Sequence, residues 1–420
     1  MLTNLLIFFQ LIDIKRMNKM KDILIVAHFT QVPGEKGNGR FWYLADMLAN
    51  SDQNVEIVTT QFSHRTKQQR NVQESQLKHI KYKLTMLQEK GYRKNVSLKR
   101  FYSHYTFGKN LRNYLKNRKK PDVIYCAVPS LDAAVVAAKF AKHNNIKFII
   151  DVQDLWPEAF KMVFHLPIIS DLIFYPMNKK ANFIYNAADE IVAVSETYVN
   201  RALLANRQLK EGLSIFLGTE LAHFDNLVIK NKVDKPKDEI QIAYIGTLGN
   251  SYDLIYIIDA LALIKNKGIN NIKFVVMGDG PLHSKFRDYA EQKQINVEFM
   301  GRLDYEKMVG VLVSCDIAVN PIKSNSAGSI INKVGDYAAA GLPVLNTQES
   351  EEYRRLIVDY NAGLNCKNSD PHDLAEKILI LYNDPILRQK MGMNNRKLAE
   401  DKFDRKTNYK LIESLISSIL

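Results

Sequence analysis

The stretch "CDIAVNPIKSNSAGSIINKVGDYAAAGLPVL" (residues 315–345) decides the fold, because it reads as a strand, a loop, a helix and a second strand in succession. Its two strand runs are almost continuously apolar, which is typical of strands buried on both faces of a parallel sheet. Pro321 ends the first strand, Gly341 can close the helix in the left-handed conformation, and Pro343 prevents its continuation. The pattern predicts a crossover unit of an α/β fold.

The same alternation of short apolar runs and helical spacing occurs in two series along the chain. The runs cover residues 22–27, 55–60, 122–127, 147–151 and 190–194, and then 240–246, 272–280, 297–301, 315–321 and 342–345. The series are separated by a polar, Lys/Asp-rich stretch that contains Pro236. We therefore predict two Rossmann-like doubly wound domains that face each other across a cleft. The predicted boundaries are 21–225 for the first domain, 226–239 for a linker, 240–400 for the second domain and 401–420 for a helical tail.

Composition describes a globular protein: 46% of the 420 residues are apolar and 25% are charged. The three cysteines lie far apart without metal-ligand spacing, so we expect reduced thiols and no metal site. The apolar start, within residues 1–20, is too short to cross a bilayer and lacks the charge order of a secretory signal. It is either an extension from a mis-placed start or an anchor on a membrane surface.

Positive charge is concentrated in one segment. Residues 64–120, predicted as a basic helical segment, hold 17 Lys or Arg against two acids, in a chain whose net charge is +13. Aromatic residues alternate with these cations, a mixture suited to an anionic lipid surface. A solvated helical face and a nucleic-acid interface are the alternatives; we favour the membrane and expect no nucleic acid.

The loop and helix that follow "CDIAVNP" carry the first chemical signal. A loop of small polar residues (322–329) leads into a helix N-terminus, and such ends attract phosphate. Asp336, about one turn into the helix, is placed to accept both hydroxyls of a ribose, as acids do in dinucleotide folds. Lys333 would neutralise phosphate charge. The alternative is that Asp336 is an ordinary solvated helix residue.

Six motifs occur together in the order and approximate spacing of a known family. They are "AYIGTLG" (243–249), "VVMGDGPL" (275–282), "EFMGRLDYEKM" (298–308) and "NKVGDYAAAGLPV" (332–344), with "DVQDLWPE" (151–158) and "ADEIVAVSE" (188–196) upstream. On these motifs the chain resembles the GT-B glycosyltransferases of family four, over roughly residues 21 to 410. "DLWPE" looks like the subgroup that builds capsule, O-antigen and exopolysaccharide repeats.

The resemblance implies retaining transfer of a sugar from a nucleotide donor held by the C-terminal half, without a required metal or cofactor. The family's pair of glutamates, eight positions apart, corresponds here to Gly328 and Asp336, so the first acid is absent. The basic pair that often follows the first C-terminal strand is also absent. Thr247 and Tyr252 stand in that region, and backbone N–H groups with Lys333 or Arg302 would have to replace the pair.

The site residues predicted on these grounds form three sets. For donor binding they are Gly246, Thr247, Gly249, Asn250, Gly278, Gly280, Arg302, Ser329, Asn332, Lys333 and Asp336. For catalysis they are Asp154 and Lys333, and for the acceptor side they are Gly37, Gly39 and Gln153. Asp154 either orients the acceptor hydroxyl or caps the turn before Trp156, and the glycines at 37 and 39 also suit an ordinary loop.

The predicted function is transfer of a hexosyl or N-acetylhexosaminyl group to a polyprenyl-diphosphate-linked glycan in surface polysaccharide biosynthesis. The enzyme would be cytoplasmic and peripheral on the inner face of the plasma membrane. Two alternatives stay open from the sequence. One is a non-catalytic GT-B-like subunit that binds a membrane or a partner, which the missing first glutamate favours. The other is a nucleotide-sugar epimerase.

Overall fold

The computed structural model describes residues 20–35, 39–95, 97–161, 167–324 and 330–420. The chain forms two compact units. The first comprises the residues up to Ala193, with Tyr198–Leu213 and Leu411–Leu420; the second comprises Val194–Thr197 and Ser214–Lys410. The predictions for residues 1–19 lie outside the described residues.

The first unit is built on a seven-stranded sheet of order β5-β2-β1-β6-β7-β8-β9. From β5 to β8, every neighbouring pair is parallel. Its strands are β1 (Asp22–Val26), β2 (Asn54–Thr60), β5 (Lys83–Leu87), β6 (Val123–Val128), β7 (Lys147–Val152), β8 (Glu190–Ala193) and β9 (Leu213–Ser214), and a small antiparallel pair is formed by β3 (Phe62–Ser63) and β4 (Gln68–Gln69). The central strand β6 is apolar throughout, and β1 is apolar after Asp22, because both faces of the sheet are covered.

Helices connect these strands and cover the sheet. They are α1 (Arg40–Asn50), α2 (Glu74–Leu77), α3 (Leu98–Asn117), α4 (Leu131–Asn144), α5 (Glu158–Lys161), α6 (Pro167–Ala187) and α7 (Glu196–Leu203). Helix α3 begins at the cap Ser97, whose side chain accepts from the Arg100 N–H. Helix α4 packs against both α3 and α6.

The second unit has a six-stranded, wholly parallel sheet of order β12-β11-β10-β13-β14-β15. Its strands are β10 (Ile240–Ile245), β11 (Ile272–Met277), β12 (Val297–Gly301), β13 (Ile317–Asn320), β14 (Val344–Asn346) and β15 (Gly363–Asn365). Successive strands are added on one side of β10 up to β12 and on its other side from β13 onward. Ligands of doubly wound folds bind beyond the carboxyl ends of the strands at such a switch in strand order.

Helices cover both faces of this sheet and close two apolar clusters against it. They are α8 (Leu221–Asn231), α9 (Leu254–Lys265), α10 (His283–Gln292), α11 (Tyr305–Leu312), α12 (Lys333–Ala339), α13 (Glu351–Tyr360), α14 (Pro371–Asn383), α15 (Pro385–Leu398) and α16 (Arg405–Ile419), with a π-helical turn over Ala399–Phe403. Residues Leu411–Leu420, the end of α16 and the last residue, belong to the first unit.

The predicted α/β class with two doubly wound parallel sheets is confirmed. Two details differ. The segment 64–120 is not wholly helical, because "KLTML" forms β5 and pairs in parallel with β2 at the sheet edge. The start of the predicted linker, 226–239, is helical: α8 runs to Asn231 and buries Leu227 in the second unit's core, and that unit already begins at Ser214.

Candidate active site

Two glycine-containing loops touch through their backbones at the carboxyl edge of the second sheet. Gly246 follows β10 with a φ of 138°, a conformation that side chains rarely adopt, and its N–H donates to the Met277 carbonyl at 3.0 Å. A Cβ on Gly278 would lie 1.7 Å from the Gly246 oxygen, and one on Gly280 would lie 2.5 Å from the Leu248 oxygen. The three glycines are therefore needed to bring the loops together, whether or not a ligand also binds there.

Lys333, the first residue of α12, lies directly beside these loops. Its Nζ is 4.1 Å from the ring centroid of Tyr244 and 3.9 Å from that of Tyr252. A Cβ on Gly246 would lie 3.0 Å from the same nitrogen. Lys333 is only 8% exposed, and its Nζ has no hydrogen-bond partner among the described residues. Burial holds the pKa of Lys333 well below its ordinary value.

Asp336, one turn further along α12, is anchored by two hydroxyl groups. Its Oδ1 accepts a hydrogen bond from Thr219 Oγ1 at 2.9 Å and another from Tyr305 OH at 2.9 Å. Burial raises the pKa of Asp336, and the hydrogen bonds from Tyr305 and Thr219 oppose that rise. The carboxylate is thus fixed in place and is not the freely solvated side chain of the alternative interpretation.

The helix that carries both residues is shorter than the sequence suggests. Helix α12 has seven residues, and the exposed Asn332 before it makes no side-chain cap hydrogen bond. Two turns give a weaker macrodipole than a long helix, and the dipole acts only near the first turn. Attraction for an anion at this end therefore rests mainly on the Lys333 ammonium.

The other predicted donor residues are less tightly connected to this centre. Thr247 and Asn250 are exposed on the loop after β10, and the Gly249 carbonyl accepts from the Tyr252 N–H at 3.1 Å. Arg302 is exposed just beyond β12. Ser329, like the position of the missing acid at 328, lies outside the described residues.

An asparagine ladder crosses the carboxyl ends of three neighbouring strands. Asn320 Nδ2 donates to Asn346 Oδ1 at 2.9 Å, and Asn346 Nδ2 donates to Asn365 Oδ1 at 3.0 Å. Asn320 and Asn346 are fully buried. The ladder ties the carboxyl ends of β13, β14 and β15 together.

In the first unit, Asp154 caps its own turn. Its Oδ1 accepts from the Leu155 N–H at 2.9 Å, and its Oδ2 accepts from Trp156 Nε1 at 3.1 Å. Burial raises the pKa of Asp154, and the Trp156 hydrogen bond opposes that rise. Tyr198 OH also donates to Oδ1 at 3.5 Å, and because a carboxylate has about four acceptor positions, the three donors leave one position for an acceptor hydroxyl. Both interpretations of Asp154 thus remain compatible with its geometry.

Gln153 is tied to a buried ion pair. Its Nε2 donates to Asp151 Oδ1 at 2.6 Å, while Arg40 Nε donates to Asp151 Oδ2 at 2.7 Å and Tyr125 OH donates to the same oxygen at 2.8 Å. Asp151 and Arg40 are almost completely buried. The network fixes the start of α1 to the carboxyl end of β7, where the acceptor side was predicted.

The glycine loop before α1 is described only in part, since Gly37 lies outside the described residues. Gly39 adopts a left-handed φ of 67°, and its N–H donates to Gln31 Oε1 at 3.1 Å. His28, which follows β1, is buried, and both of its ring nitrogens have hydrogen-bond partners. Its Nδ1 lies 2.7 Å from Ser130 Oγ and its Nε2 lies 2.7 Å from Glu89 Oε2.

Among the residues described, no cluster of three or more His, Cys, Asp or Glu is arranged to hold a metal ion. The described part of the chain also includes no helix with the length and apolar character needed to cross a bilayer.

Two family models cover both sheets. The model for Glycosyltransferase Family 4 matches residues 40–207, and the model for Glycosyl transferases group 1 matches residues 225–398. The matched regions contain the Gln153–Asp154 turn and the Lys333–Asp336 helix, respectively. The chain is a GT-B glycosyltransferase. These matches favour a transferase over a non-catalytic subunit or an epimerase.

Relatives of this glycosyltransferase include transferases with different substrates. It is 26% identical to an uncharacterized glycosyltransferase of Methanocaldococcus jannaschii over 41% of its own chain and 52% of that protein, so it spans about half of that relative. It is 23% identical to the capsular polysaccharide biosynthesis glycosyltransferase CapM of Staphylococcus aureus, over 73% of its chain and 79% of CapM. A third relative, from Campylobacter jejuni, is an α-1,4-N-acetyl-D-galactosaminyltransferase named for a PP-undecaprenol-linked acceptor (25% identity, 38% of this chain, 43% of the relative).

Solved glycosyltransferase structures share the fold. Sucrose-phosphate synthase from Thermosynechococcus elongatus superposes with a TM-score of 0.70 at 16% identity, covering 95% of this chain and 99% of that one. Anabaena HepE in complex with UDP gives 0.66 at 14% identity, covering 94% and 100%, and its complex with UDP-glucose gives 0.64 at 15% identity, covering 95% and 100%.

Sequence reasoning missed several residues that shape the candidate site of the glycosyltransferase. Tyr244 was absent from the predicted set because it stands inside a strand, where a tyrosine reads as core. Thr219 and Tyr305 come from segments far from Asp336 in sequence, and Tyr305 lies in the quoted motif "EFMGRLDYEKM" without any local sign that it would donate to Asp336. Tyr252 was noted as a replacement for a basic residue, but its packing on Lys333 was not foreseen.

Proposed function

We propose that the enzyme transfers a sugar, with retention of anomeric configuration, from a nucleotide-diphosphate sugar to a polyprenyl-diphosphate-linked glycan in surface polysaccharide biosynthesis. The observation that carries the proposal is the buried, unpartnered Nζ of Lys333 beside the Gly246 loop. The names of CapM and of the Campylobacter relative support a polysaccharide product, a lipid-linked acceptor and a hexosyl or N-acetylhexosaminyl group. The HepE complexes support a nucleotide donor.

The Lys333 amine explains why an anion would be bound at this point. A buried ammonium without a hydrogen-bond acceptor is costly, and the two tyrosine faces compensate only part of that cost. A diphosphate that entered beside Gly246 would supply the missing acceptor and restore the charged form of the lysine. The N–H groups from Gly246 to Asn250 would contribute further donors without any added charge.

Asp336 would hold the ribose of the same nucleotide. One of its oxygens is already occupied by Thr219 and Tyr305, which fixes the direction of the carboxylate. The remaining acceptor positions would receive the ribose hydroxyls. Gly278 and Gly280, which let the two loops meet, would border the base.

The reaction needs no protein nucleophile under this proposal. The bond from the anomeric carbon to the diphosphate oxygen breaks through an oxocarbenium-like state, and the acceptor oxygen attacks the same face. The acceptor proton passes to the departing phosphate oxygen, so a nucleoside diphosphate leaves. Lys333 stabilises the negative charge that grows on that leaving group, and Asp154 orients the acceptor hydroxyl. No metal or cofactor takes part.

An exposed face of the first unit is proposed to contact an anionic membrane. On α3 the apolar side chains of Leu98, Tyr102 and Tyr105 are 85%, 57% and 59% exposed, and on α6 those of Leu172 and Tyr175 are 79% and 63% exposed. Leu98, Tyr102 and Tyr105 lie within the cation-rich segment 64–120, a mixture that occurs in helices that rest at a lipid surface. The proposal places the enzyme on the cytoplasmic face of the plasma membrane, where nucleotide sugars are available.

Thermal unfolding with UDP-, GDP- and dTDP-sugars, with a chelator present, tests the donor site. We expect one nucleotide class to raise the melting temperature of the enzyme and Lys333→Met to abolish that rise. Lys307→Met, an exposed lysine of the same unit, is the matched control and should keep it. A rise that survives Lys333→Met, or no rise with any of the three classes, would contradict the proposal.

A further inference from the structure

A second group of cations surrounds an aromatic cluster at the carboxyl edge of the first sheet, and the reaction proposed above does not use it. Arg100, in the first turn of α3, packs on three rings. Its Cζ lies 4.7 Å from the ring centroid of Trp156, 5.7 Å from that of Tyr92 and 6.0 Å from that of Phe29. These rings follow β7, β5 and β1, so the cluster lies where a doubly wound sheet binds its ligands.

Two nitrogens of this cluster are buried without a hydrogen-bond partner among the described residues. Arg100 Nη1 donates to the Asn95 carbonyl at 2.9 Å, but its Nε has no hydrogen-bond partner among the described residues. His104, one turn further along α3, is 2% exposed and stacks on Trp156 with centroids 5.7 Å apart; within the described chain its Nε2 is also unpartnered. Native structures pair nearly all such groups, so two adjacent exceptions indicate a missing ligand.

Further positive charge lies beside Arg100. Lys67 Nζ donates to Asn95 Oδ1 at 2.6 Å, lies 4.8 Å from the Tyr92 ring centroid and is 3.3 Å from His64 Nδ1. Burial, with Lys67 and Arg100 nearby, lowers the pKa of His64 to about 4. Lys67 and Arg100 therefore both lie over the Tyr92 ring, and the neighbouring His64 imidazole is neutral at pH 7.

The acids near the cluster, Glu89 and Asp154, hold other hydrogen bonds. Glu89 accepts from Ser103 and contacts His28, and Asp154 accepts from Leu155 and Trp156. Within the described part of the chain, neither acid forms an ion pair with Arg100 or Lys67. Burial and the charge of Arg100 lower the pKa of Lys67, and an anion beside the two cations would relieve their repulsion.

We infer that Arg100, Lys67 and His104 form an anion site, here called the α3 anion site, which binds the diphosphate of the lipid-linked acceptor. This inference rests on the proposed function for the identity of the acceptor. Guanidinium and ammonium groups are the residues that recognise phosphoryl oxygens. The other face of the same helix carries the exposed Leu98, Tyr102 and Tyr105 of the proposed membrane surface.

The chain offers a local reporter for this site. It contains two tryptophans, Trp42 and Trp156, and Trp42→Phe leaves Trp156 as the sole one, in contact with Arg100. We would titrate this single-tryptophan enzyme with inorganic pyrophosphate at constant ionic strength and follow the emission of Trp156. A saturable change is expected. Lys67→Met keeps the Arg100–Trp156 contact and should weaken the apparent affinity by about tenfold, the effect of losing one charged hydrogen bond of roughly 1.4 kcal/mol.

Matched variants decide the assignment. Arg100→Met should remove the saturable response, whereas Lys99→Met, an exposed lysine of the same helix, should leave it unchanged. Lys333→Met should also leave it unchanged, because that residue belongs to the donor site of the other unit. Failure of nucleotides to stabilise the enzyme would count against the proposed function, and the Trp156 response is measured independently of it.

Three results would overturn the inference: no response of Trp156 to pyrophosphate, a response that survives both Arg100→Met and Lys67→Met, or a response that disappears in Lys333→Met. A parallel titration with phosphatidylglycerol vesicles distinguishes the two sources of phosphate. A response to these vesicles but not to soluble pyrophosphate would assign the site to lipid headgroups and contradict the acceptor diphosphate.

Discussion

Lys333 Nζ lies 3.9 Å from the ring centroid of Tyr252. This contact positions the buried amine, which has no hydrogen-bond partner among the described residues. Tyr244 lies against the same nitrogen from a buried strand. The two rings restrict where the amine can move, and Gly246 borders the same nitrogen, because a Cβ there would lie 3.0 Å from it. A lysine restricted in this way would lose little side-chain freedom on binding the diphosphate proposed above.

The Tyr252 ring is therefore predicted to contribute more to donor binding than the Tyr252 hydroxyl does. Tyr252→Phe should keep donor affinity within about twofold, because the ring face is preserved. Tyr252→Leu removes the cation–π contact and should weaken donor binding by roughly 0.5–2 kcal/mol, or about 2- to 30-fold. Calorimetric titration with the stabilising nucleotide sugar measures both values. Equal losses in the two variants would show that the hydroxyl, and not the ring, is required.

Lys333 should also lower the stability of the free enzyme at neutral pH. Since burial lowers its pKa, the folded protein holds this proton less tightly than the unfolded chain, and stability rises with pH until the unfolded lysine titrates near 10.4. Lys333→Met should raise the free energy of unfolding by roughly 1–3 kcal/mol at pH 7, the cost of an unsatisfied buried polar group.

The gain of Lys333→Met should shrink as pH rises, because release of the lysine proton on folding costs less free energy the closer the pH lies to the unfolded pKa near 10.4. Thermal melts of both proteins at pH 7 and pH 9.5, without nucleotide, check the sign. Lys307→Met, exposed in the same unit, should show no pH-dependent difference from wild type. A constant difference at both pH values would mean that packing, and not the charge, causes the change.

The hydrogen bond from Tyr305 to Asp336 should set the acid limit of donor binding. Burial raises the pKa of Asp336 and the Tyr305 hydrogen bond opposes it, so Tyr305→Phe should raise that pKa further. Protonation removes acceptor positions for the ribose. Donor affinity should therefore fall at a higher pH in Tyr305→Phe than in wild type as the pH is lowered.

The enzyme offers a control for this change, because Tyr289 donates to Asp259 at 2.7 Å in a partly buried pair of the same unit. Tyr289→Phe should leave the pH dependence of the donor dissociation constant as in wild type. If both tyrosine variants show the wild-type acid limit, Asp336 does not titrate with ribose binding.

The ion pair between Arg40 and Asp151 is predicted to be a large stabilising feature of the first unit. Arg40→Met leaves the Asp151 carboxylate buried with the neutral donors Tyr125 and Gln153 in place of a cation, and breaking a buried pair costs about 3–5 kcal/mol. Adding Asp151→Asn should recover part of the loss. Denaturant unfolding measures both, and Lys109→Met on the surface of α3 should stay within about 0.5 kcal/mol of wild type.

The sequence predicts most strands of the two sheets because they are nearly continuous apolar runs, as in β6. It misses the short strands β9 and β15, and it misses β5, whose five residues stand in a basic segment and pair with β2. Helix α8 is missed in part because Lys and Asp residues hide the burial of Leu227. These losses share one cause: short elements take their conformation from tertiary partners that local patterns do not contain.

The candidate site follows the same rule. Asp336 and Lys333 were predicted from their place on a helix after a strand, which local sequence encodes. The hydroxyl groups that fix Asp336 come from Thr219 and Tyr305, which are 117 and 31 residues away in sequence. No period or spacing marks such distant partners, so the anchoring of the carboxylate could only be found in three dimensions.

The exposed rings of α3 should control binding to anionic vesicles. Tyr102→Ser with Tyr105→Ser removes two rings that are 57% and 59% exposed, and interfacial burial of apolar area gives part of the binding energy. We expect flotation with phosphatidylglycerol vesicles to weaken by about 30-fold, since two lost rings of roughly 1 kcal/mol each at an interface contribute about 2 kcal/mol together. Neutral phosphatidylcholine vesicles should bind wild type weakly, because the cations of residues 64–120 supply the rest of the binding energy by attraction to anionic lipid.

A matched double variant separates this surface from exposed apolar residues in general. Ile229→Ser with Ile386→Ser changes two side chains of the second unit that are 83% and 80% exposed, and should leave flotation unchanged. Raising the salt concentration should release wild type from the anionic vesicles, because screening weakens attraction between separated charges. Flotation that depends neither on the α3 rings nor on anionic lipid would remove the membrane surface from the proposed function, while leaving the donor site of the transferase untouched.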